Sequence, residues 1–196
     1  AFLTTVVSCG QAVTEKQSGF VYTVTMPDPS SHMLHIDLNF KGIREDTVDF
    51  QMPVWMPGYY QIMDYPDQVT KFKAAGAGGK GLVVIKKGNN TWKVASGKEK
   101  AINITYEVRA DKRFVANSWL DSTHCYIIPA ATFMFCKEYL QSPVTVKIIP
   151  DKNWPDIATG LSKVPGNSNT FTAADFDILY DCPVLAGKLE EFPQFE

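Results

Sequence analysis

The sequence predicts an all-β protein: an antiparallel β-sandwich with short helical turns, folded as one domain. Three observations carry that prediction. Apolar residues recur with a period of two along several segments. Clusters of Pro, Gly, Asn and Asp separate those segments. No window of about 11 residues shows a convincing apolar stripe at helical spacing.

The alternating runs can be taken in order. Phe20, Tyr22, Val24 and Met26 alternate with Val21, Thr23 and Thr25. Leu34, Ile36, Leu38 and Phe40 alternate with His35, Asp37 and Asn39. Val48, Phe50 and Met52 alternate with Asp49 and Gln51. Ile102, Ile104, Tyr106 and Val108 alternate with Asn103, Thr105, Glu107 and Arg109. Val144, Val146 and Ile148 alternate with Thr145 and Lys147. In a strand, successive side chains point to opposite faces, so each run has one apolar and one wet face, as antiparallel sheets do. Between the runs lie Pro27-Asp28-Pro29, Met56-Pro57-Gly58, Gly76-Ala77-Gly78-Gly79, Gly88-Asn89-Asn90 and Pro165-Gly166-Asn167, all turn formers. Asp64 to Phe72 and Ala130 to Cys136 are each predicted to hold a turn or two of helix. Gly187 to Glu196 alternates as though a strand continued to the last residue, and reads as a strand cut short.

Composition narrows the class. The chain has 196 residues, 45% of them hydrophobic and 20% charged. That excludes wholesale disorder and supplies enough apolar surface for a core. Lys and Arg total 19 against 21 Asp and Glu. With no basic surplus to hold a phosphate backbone, nucleic acid is not an expected partner. No apolar run reaches the roughly 18 residues of a transmembrane helix. The beginning of the chain reads as the end of an export signal. Val6-Val7-Ser8-Cys9 resembles a bacterial lipobox, which makes Cys9 a lipidation candidate. The expectation is an exported protein, periplasmic or in the cell envelope, with a lipid anchor on Cys9 as one alternative. An ordinary first strand from Phe2 to Val7 is the other reading of those residues.

Residues that carry chemistry are sparse. Cys9, Cys125, Cys136 and Cys182 form no Cys-x-x-Cys pair, so no structural zinc site is expected. They read as buried free thiols, with a Cys125–Cys136 bridge as the alternative in an exported chain. His32 and His35 sit three apart, which in a strand points them to opposite faces and away from a shared metal. His-Glu-x-x-His, Gly-x-Ser-x-Gly and phosphate-binding glycine loops are absent from the sequence. Asp121-Ser122-Thr123-His124-Cys125 gathers an acid, hydroxyls, an imidazole and a thiol. Side chains adjacent in sequence rarely converge, so a polar loop is the expected reading and a small hydrolase the alternative. The densest aromatic segment is Trp55 to Tyr65, where Pro57-Gly58 suits a type II turn.

That segment, Met52-Pro53-Val54-Trp55-x-Pro57-Gly58-x-Tyr60-x-Ile62-x-Asp64-Tyr65, resembles the signature of the glycyl aminopeptidases, the sixty-first family of zinc metallopeptidases. Five further pieces occur in the family's order. They are Tyr22-Thr23-Val24-x-Met26-Pro27-x-Pro29-x-x-His32, Thr91-Trp92-x-Val94, Leu120-Asp121-x-x-His124-x-Tyr126, Ala158-Thr159-Gly160-Leu161 and Asp177-Ile178-Leu179-x-Asp181-x-Pro183-Val184. The pattern departs at Met63 and at Ile128-Pro129. The resemblance implies a β-rich N-terminal domain that precedes a zinc catalytic domain and a PDZ domain. It implies residues 1–18 as signal remnant or arm, 19–187 as the sandwich, and 188–196 as the start of a link to the catalytic domain.

The function implied by the resemblance is that of a non-catalytic chain with no cofactor of its own, zinc being expected in the catalytic domain. The expected partners are that domain and the PDZ domain, with peptide substrate touched only indirectly. Interfaces favour Trp, Tyr and Met. The candidate partner-binding residues are therefore Trp55, Tyr59, Tyr60, Asp64, Tyr65, Trp119, Asp121, His124 and Phe133. They are expected to form an exposed apolar patch through which the isolated domain self-associates. The alternative is an independent carbohydrate- or protein-binding module of an envelope protein, for which a flat exposed row of Trp55, Tyr59 and Tyr60 would speak.

Overall fold

The five alternating runs between Phe20 and Ile148 are strands. The computed structural model describes residues 19–56, 58–190 and 192. Cys9 and the rest of 1–18 lie outside the described residues, as does Pro57. Strands run Gly19–Thr25, Met33–Lys41, Thr47–Gln51, Ala101–Arg109 and Val144–Ile149. Their apolar sets face inward: Leu34, Ile36, Leu38 and Phe40 are all buried, while His35, Asp37 and Asn39 take the other face.

The main sheet has seven strands. In spatial order they are Ser162–Lys163, Thr170–Ala173, Val144–Ile149, Gly19–Thr25, Met33–Lys41, Ala101–Arg109 and Val69–Gly76. All neighbours are antiparallel except Gly19–Thr25 and Val144–Ile149, which run parallel with Phe20 opposite Val144. Opposite it lies a three-stranded sheet, Thr47–Gln51, Thr91–Ala95 and Val84–Lys87. Phe40 meets Phe50 edge-on at 6.1 Å, and Phe72 stacks on Trp92 at 5.4 Å, joining the two sheets. A four-stranded sheet, Trp119–Leu120, His124–Ile127, Val184–Gly187 and Asp156–Thr159, adds to the same core. A hairpin of Trp55–Met56 and Gln61–Ile62 completes the strands. Strand makes up 47% of the structure and helix 10%, a mostly antiparallel layered β fold as predicted.

The helical segments differ in detail from the sequence reading. Asp64 to Phe72 is only a 3-10 turn, Tyr65–Gln68, before a strand begins at Val69. β-branched Val69 and Thr70 favour the pleated surface there. Ala130 to Cys136 likewise holds little helix: a 3-10 turn, Pro129–Ala131, opens the segment, and Phe135 then bridges to Gln51 in β fashion. The one described α-helix, Phe176–Tyr180, was not anticipated; Asp175 caps it by accepting from the Ile178 amide at 2.9 Å. The last strand ends at Gly187 rather than running on through Lys188 and Leu189. His32 precedes its strand, in a left-handed turn with φ of 56°, so the opposite-face argument does not apply to it. The two imidazoles still diverge: His32 Nδ1 meets the Leu120 carbonyl, and His35 Nδ1 lies 3.3 Å from Glu107.

Between the layers, Ile128 to Met134 is buried at every position yet belongs to no sheet. Its backbone groups need partners inside the core. Tyr106 donates its hydroxyl to the Thr132 carbonyl at 2.8 Å and accepts from the Met134 amide at 3.3 Å. Tyr22 donates to the Met134 carbonyl. The Ser118 hydroxyl accepts from the Ile128 amide at 2.9 Å. Burial holds the Tyr22 and Tyr106 phenols well above their ordinary pKa, so they remain protonated donors. Tyr106→Phe keeps the ring but strands a carbonyl and an amide. The expected loss is about 1–3 kcal/mol, read in urea as a lower midpoint at unchanged slope. A variant as stable as the parent would mean that these tyrosine hydroxyls do not hold the segment.

Candidate interaction surface

The aromatic segment folds into a hairpin because its turn tolerates unusual backbone. Gly58 has φ of 79°, which glycine adopts at little cost. Tyr60 has φ of 57°, an outlier for a bulky residue, with its amide donating to the Met56 carbonyl at 3.2 Å. The turn leaves Trp55 46%, Tyr59 38%, Tyr60 77% and Ile62 81% exposed. Tyr59 meets Phe114 at 4.9 Å between ring centres, so the loop carrying exposed Phe114 and Val115 joins the same surface.

Four contacts hold this surface in place. Met63 donates to the Val54 carbonyl at 2.8 Å. Tyr180 donates its hydroxyl to the Trp55 carbonyl. Lys112 pairs with Asp64 beneath the two loops. Tyr65, fully buried, donates to the Ala116 carbonyl at 2.5 Å and ties one loop to the root of the other. Burial, then the nearby Tyr180 and Asp64, push the Tyr65 phenol far above its ordinary pKa, so it stays a donor.

Beside this surface lies a cavity of about 580 Å³, lined by Arg113, Phe114, Trp119, Asp121, His124 and Tyr126 among others. Asp121 organises its rim. Its Oδ1 accepts from the Thr123 and His124 amides at 2.7 and 3.1 Å and from the Thr123 hydroxyl at 2.6 Å. Its Oδ2 accepts from the Trp119 indole at 3.1 Å. Burial pushes this carboxyl up, but those hydrogen bonds outweigh it and hold Asp121 well below the usual carboxylate range. Arg113 lies over the Trp119 ring at 4.6 Å.

These contacts make the Asp121 to Cys125 cluster a polar turn. His124 Nδ1 lies 2.8 Å from the Thr123 hydroxyl, while Cys125 is completely buried and its thiol is pushed far up by burial. A strand sends the two neighbours to opposite faces, so imidazole and thiol cannot work together. Cys125, Cys136 and Cys182 are free thiols, and no Cys125–Cys136 bridge forms. Among the described residues, no group of three or more His, Cys, Asp or Glu could hold a metal ion.

The structure separates the nine candidate residues. Trp55, Tyr59 and Tyr60 are exposed together, Asp64 is spent on Lys112, and Trp119, Asp121 and His124 gather at the cavity. Tyr65 and Phe133 are corrections: both are completely buried and can touch no partner. Phe133 packs on Tyr22 at 4.9 Å in the middle of the core. Ile62, Phe114 and Val115 were missed. The signal for the last two was an apolar pair in a polar loop, between Arg113 and Asn117. The exposed rings form no flat row: Trp55 and Tyr60 stand at 75° and Tyr59 and Phe114 at 69°. Sugar rings stack on coplanar aromatics, so this geometry speaks against a carbohydrate platform.

The family model of the Peptidase M61 N-terminal domain matches residues 21–188, and the chain belongs to that family. No curated protein sequence matches it. Among solved structures, the chain is similar to an aminopeptidase N family protein from Idiomarina loihiensis, with a TM-score of 0.80 and 24% identity. The match covers 89% of this chain and 30% of that one. It also resembles an M1 zinc metallopeptidase variant from Deinococcus radiodurans solved with a Tyr-Ser-Ala substrate, with a TM-score of 0.53 and 14% identity. There the match covers 89% of this chain and 42% of that one. At these identities the likeness is one of fold, and the chain spans less than half of either protein.

Two outcomes test the local chemistry. Brief alkylation of the native chain should leave Cys125 and Cys136 unmodified, with both reacting only in denaturant. Rapid native labelling of Cys125 would restore the nucleophile reading. Asp121→Ala leaves two amides, a hydroxyl and an indole without their acceptor and should cost about 1–3 kcal/mol at pH 7. Because the folded pKa is depressed, this stabilisation is full above the ordinary carboxylate pKa and is lost as pH falls through the folded value. The difference between parent and variant in urea should therefore shrink toward about pH 2. A difference that grows on acidification would reverse the assignment.

Proposed function

We propose that this chain is the non-catalytic N-terminal domain of an exported zinc aminopeptidase, and that the Trp55–Ile62 hairpin with Phe114 and Val115 docks on the catalytic domain. The observation that carries the reading is one exposed apolar surface of six residues from two loops, braced from below. Monomers seldom leave such patches uncovered, and aromatic centres are what interfaces use. Family membership supplies the partner: the chain is by family an N-terminal domain, and its structural relatives are larger peptidases. In this reading zinc sits in the catalytic domain and supplies the Lewis acid for peptide cleavage. The cavity between Arg113 and His124 walls one side of the substrate cleft, and a PDZ domain lies beyond the catalytic domain. Val6-Val7-Ser8-Cys9 supports export with a lipid on Cys9.

Hydrogen exchange on the intact parent protein and on this chain alone tests the docking. In the parent, amides of 55–62 and 113–117 should exchange at least about tenfold more slowly than in the isolated chain. Tyr60→Asp with Ile62→Asp should remove that protection without altering the isolated chain's thermal midpoint. Equal exchange in both forms, with protection appearing on another face, would place the interface elsewhere.

A further inference from the structure

A second cavity, of about 550 Å³, lies between the start of the hairpin and the helix Phe176–Tyr180. Its apolar walls include Val54, Trp55, Phe135, Leu140 and Phe176. Phe176 stands 5.3 Å from Phe135, and the Tyr180 hydroxyl closes one side by bonding the Trp55 carbonyl. The volume falls within the range of small-molecule pockets. The rim is acidic. Asp177 and Asp181 line it, and no basic residue does.

Neither of these two carboxylates is engaged in an ion pair among the described residues. The remaining polar side chains of the lining are spent: Asn90 donates to the Met52 carbonyl and accepts from Thr91, and Tyr180 is committed to Trp55. Asp175, just outside, caps the helix. Asp177 and Asp181 are both exposed. Asp177 lies in the helix's first turn, where the peptide dipoles favour an anion, whereas Asp181 stands at the C-terminal end, where they disfavour one, and the two sit at i and i+4, where like charges repel. Burial, with a contribution from Asp181, pushes the Tyr180 phenol up to about 12. The charge on Asp181, beside that of Asp177, thus works against the helix, and a bound cation would relieve it.

We propose that this cavity binds an ammonium group carried on an apolar body, the cation between Asp177 and Asp181 and the body against Trp55 and Phe176. Carboxylates and aromatic faces both attract such a cation, and the walls bury its apolar part. A peptide N-terminus beside an apolar side chain presents this chemistry, and so does a lysine side chain. The inference goes beyond the docking proposed above and does not depend on it.

Titration calorimetry of the 196-residue chain with phenethylamine tests the site, with 2-phenylethanol and phenylacetate as neutral and anionic counterparts. Phenethylamine should bind at least about fivefold more tightly than the alcohol, and phenylacetate more weakly than either. The preference should shrink as salt rises from about 0.05 to about 0.5 M. Asp177→Asn with Asp181→Asn should bring the amine to the level of the alcohol while leaving the thermal midpoint equal or higher. Trp55→Ala should weaken amine and alcohol alike. Should the double variant fold poorly, Asp181→Asn alone should reduce the preference about twofold or more. Phe-Gly-amide against acetyl-Lys-amide separates the two sources, and binding of either supports the site. Amine and alcohol binding equally, neither peptide binding, or the carboxylate variants keeping the preference would overturn it.

Discussion

From Ile128 to Met134 the chain crosses the interior without joining a sheet, and each amide and carbonyl there has left water. An unpaired polar group of that kind costs roughly 1–3 kcal/mol, a sizeable share of a domain's stability. Turn bonds within the segment, from the Ala131, Thr132 and Phe133 amides to the Ile128 and Pro129 carbonyls, meet part of this demand, and three neighbouring side chains meet more of it. Tyr22 and Tyr106 reach from the inner face of the main sheet, on strands either side of Met33–Lys41, and Ser118 from just before the four-stranded sheet. The segment is thereby clamped to both sheets at once. Past it, Phe135 and Gln51 exchange backbone hydrogen bonds at 2.9 and 2.8 Å, which carries the clamp to the three-stranded sheet. One buried loop therefore joins the layers, and its own turn bonds with tyrosine and serine hydroxyls, rather than a continuous ladder, satisfy it.

This arrangement decides which aromatics are left outside. Phe133 fills the space over Tyr22, and Tyr65 is drawn inward by the Ala116 carbonyl. Trp55, Tyr59 and Tyr60 stay outside the core, where their turn projects them. The same Tyr65 hydroxyl ties the hairpin to the loop bearing Phe114, so the exposed surface rests on a buried hydrogen bond. Tyr60 in the left-handed region is a cost of about 1 kcal/mol that a rigid support must offset. Loops so braced would lose little freedom in the docking we propose.

The strands were legible in the sequence because alternation is a local signal tied to one buried face. Phe20 to Met26 and Ile102 to Val108 could be placed from residue type alone. What escaped depends on contacts distant in sequence. The parallel pairing of Gly19–Thr25 with Val144–Ile149 leaves no trace in a period of two, which parallel and antiparallel strands share. Ala130 to Cys136 read as a helical turn because the partners of the buried stretch, Tyr22 and Tyr106, look locally like ordinary strand residues. The surface was half legible: an aromatic cluster announced it, but type alone does not separate Tyr60, which is exposed, from Tyr65, which a carbonyl holds 51 residues away. Phe176–Tyr180 was too short to show a periodic stripe, although Asp175 before it is a capping residue.

The main sheet's edges bear on where a partner can attach. An open edge offers unpaired amides and carbonyls to any other strand. Here one edge strand, Ser162–Lys163, is only two residues long. The other, Val69–Gly76, is broken by a register shift between Thr70 and Lys73, with Lys71 in the left-handed region at φ of 53°. Lys71 turns back to pair with Glu107 at 3.0 Å, and His35 approaches the same carboxylate from the next strand. With Lys71 mostly exposed, that contact adds little stability. Its effect is geometric, because it fixes the bulge and bends the edge out of line. Beyond the bulge, Gly81 bridges to Ala75 and covers part of the strand. Strand addition is therefore blocked at one edge by length and hindered at the other by shape. In the docking we propose, the rest of a peptidase meets this domain by side-chain packing on the aromatic loops rather than by adding a strand to the main sheet.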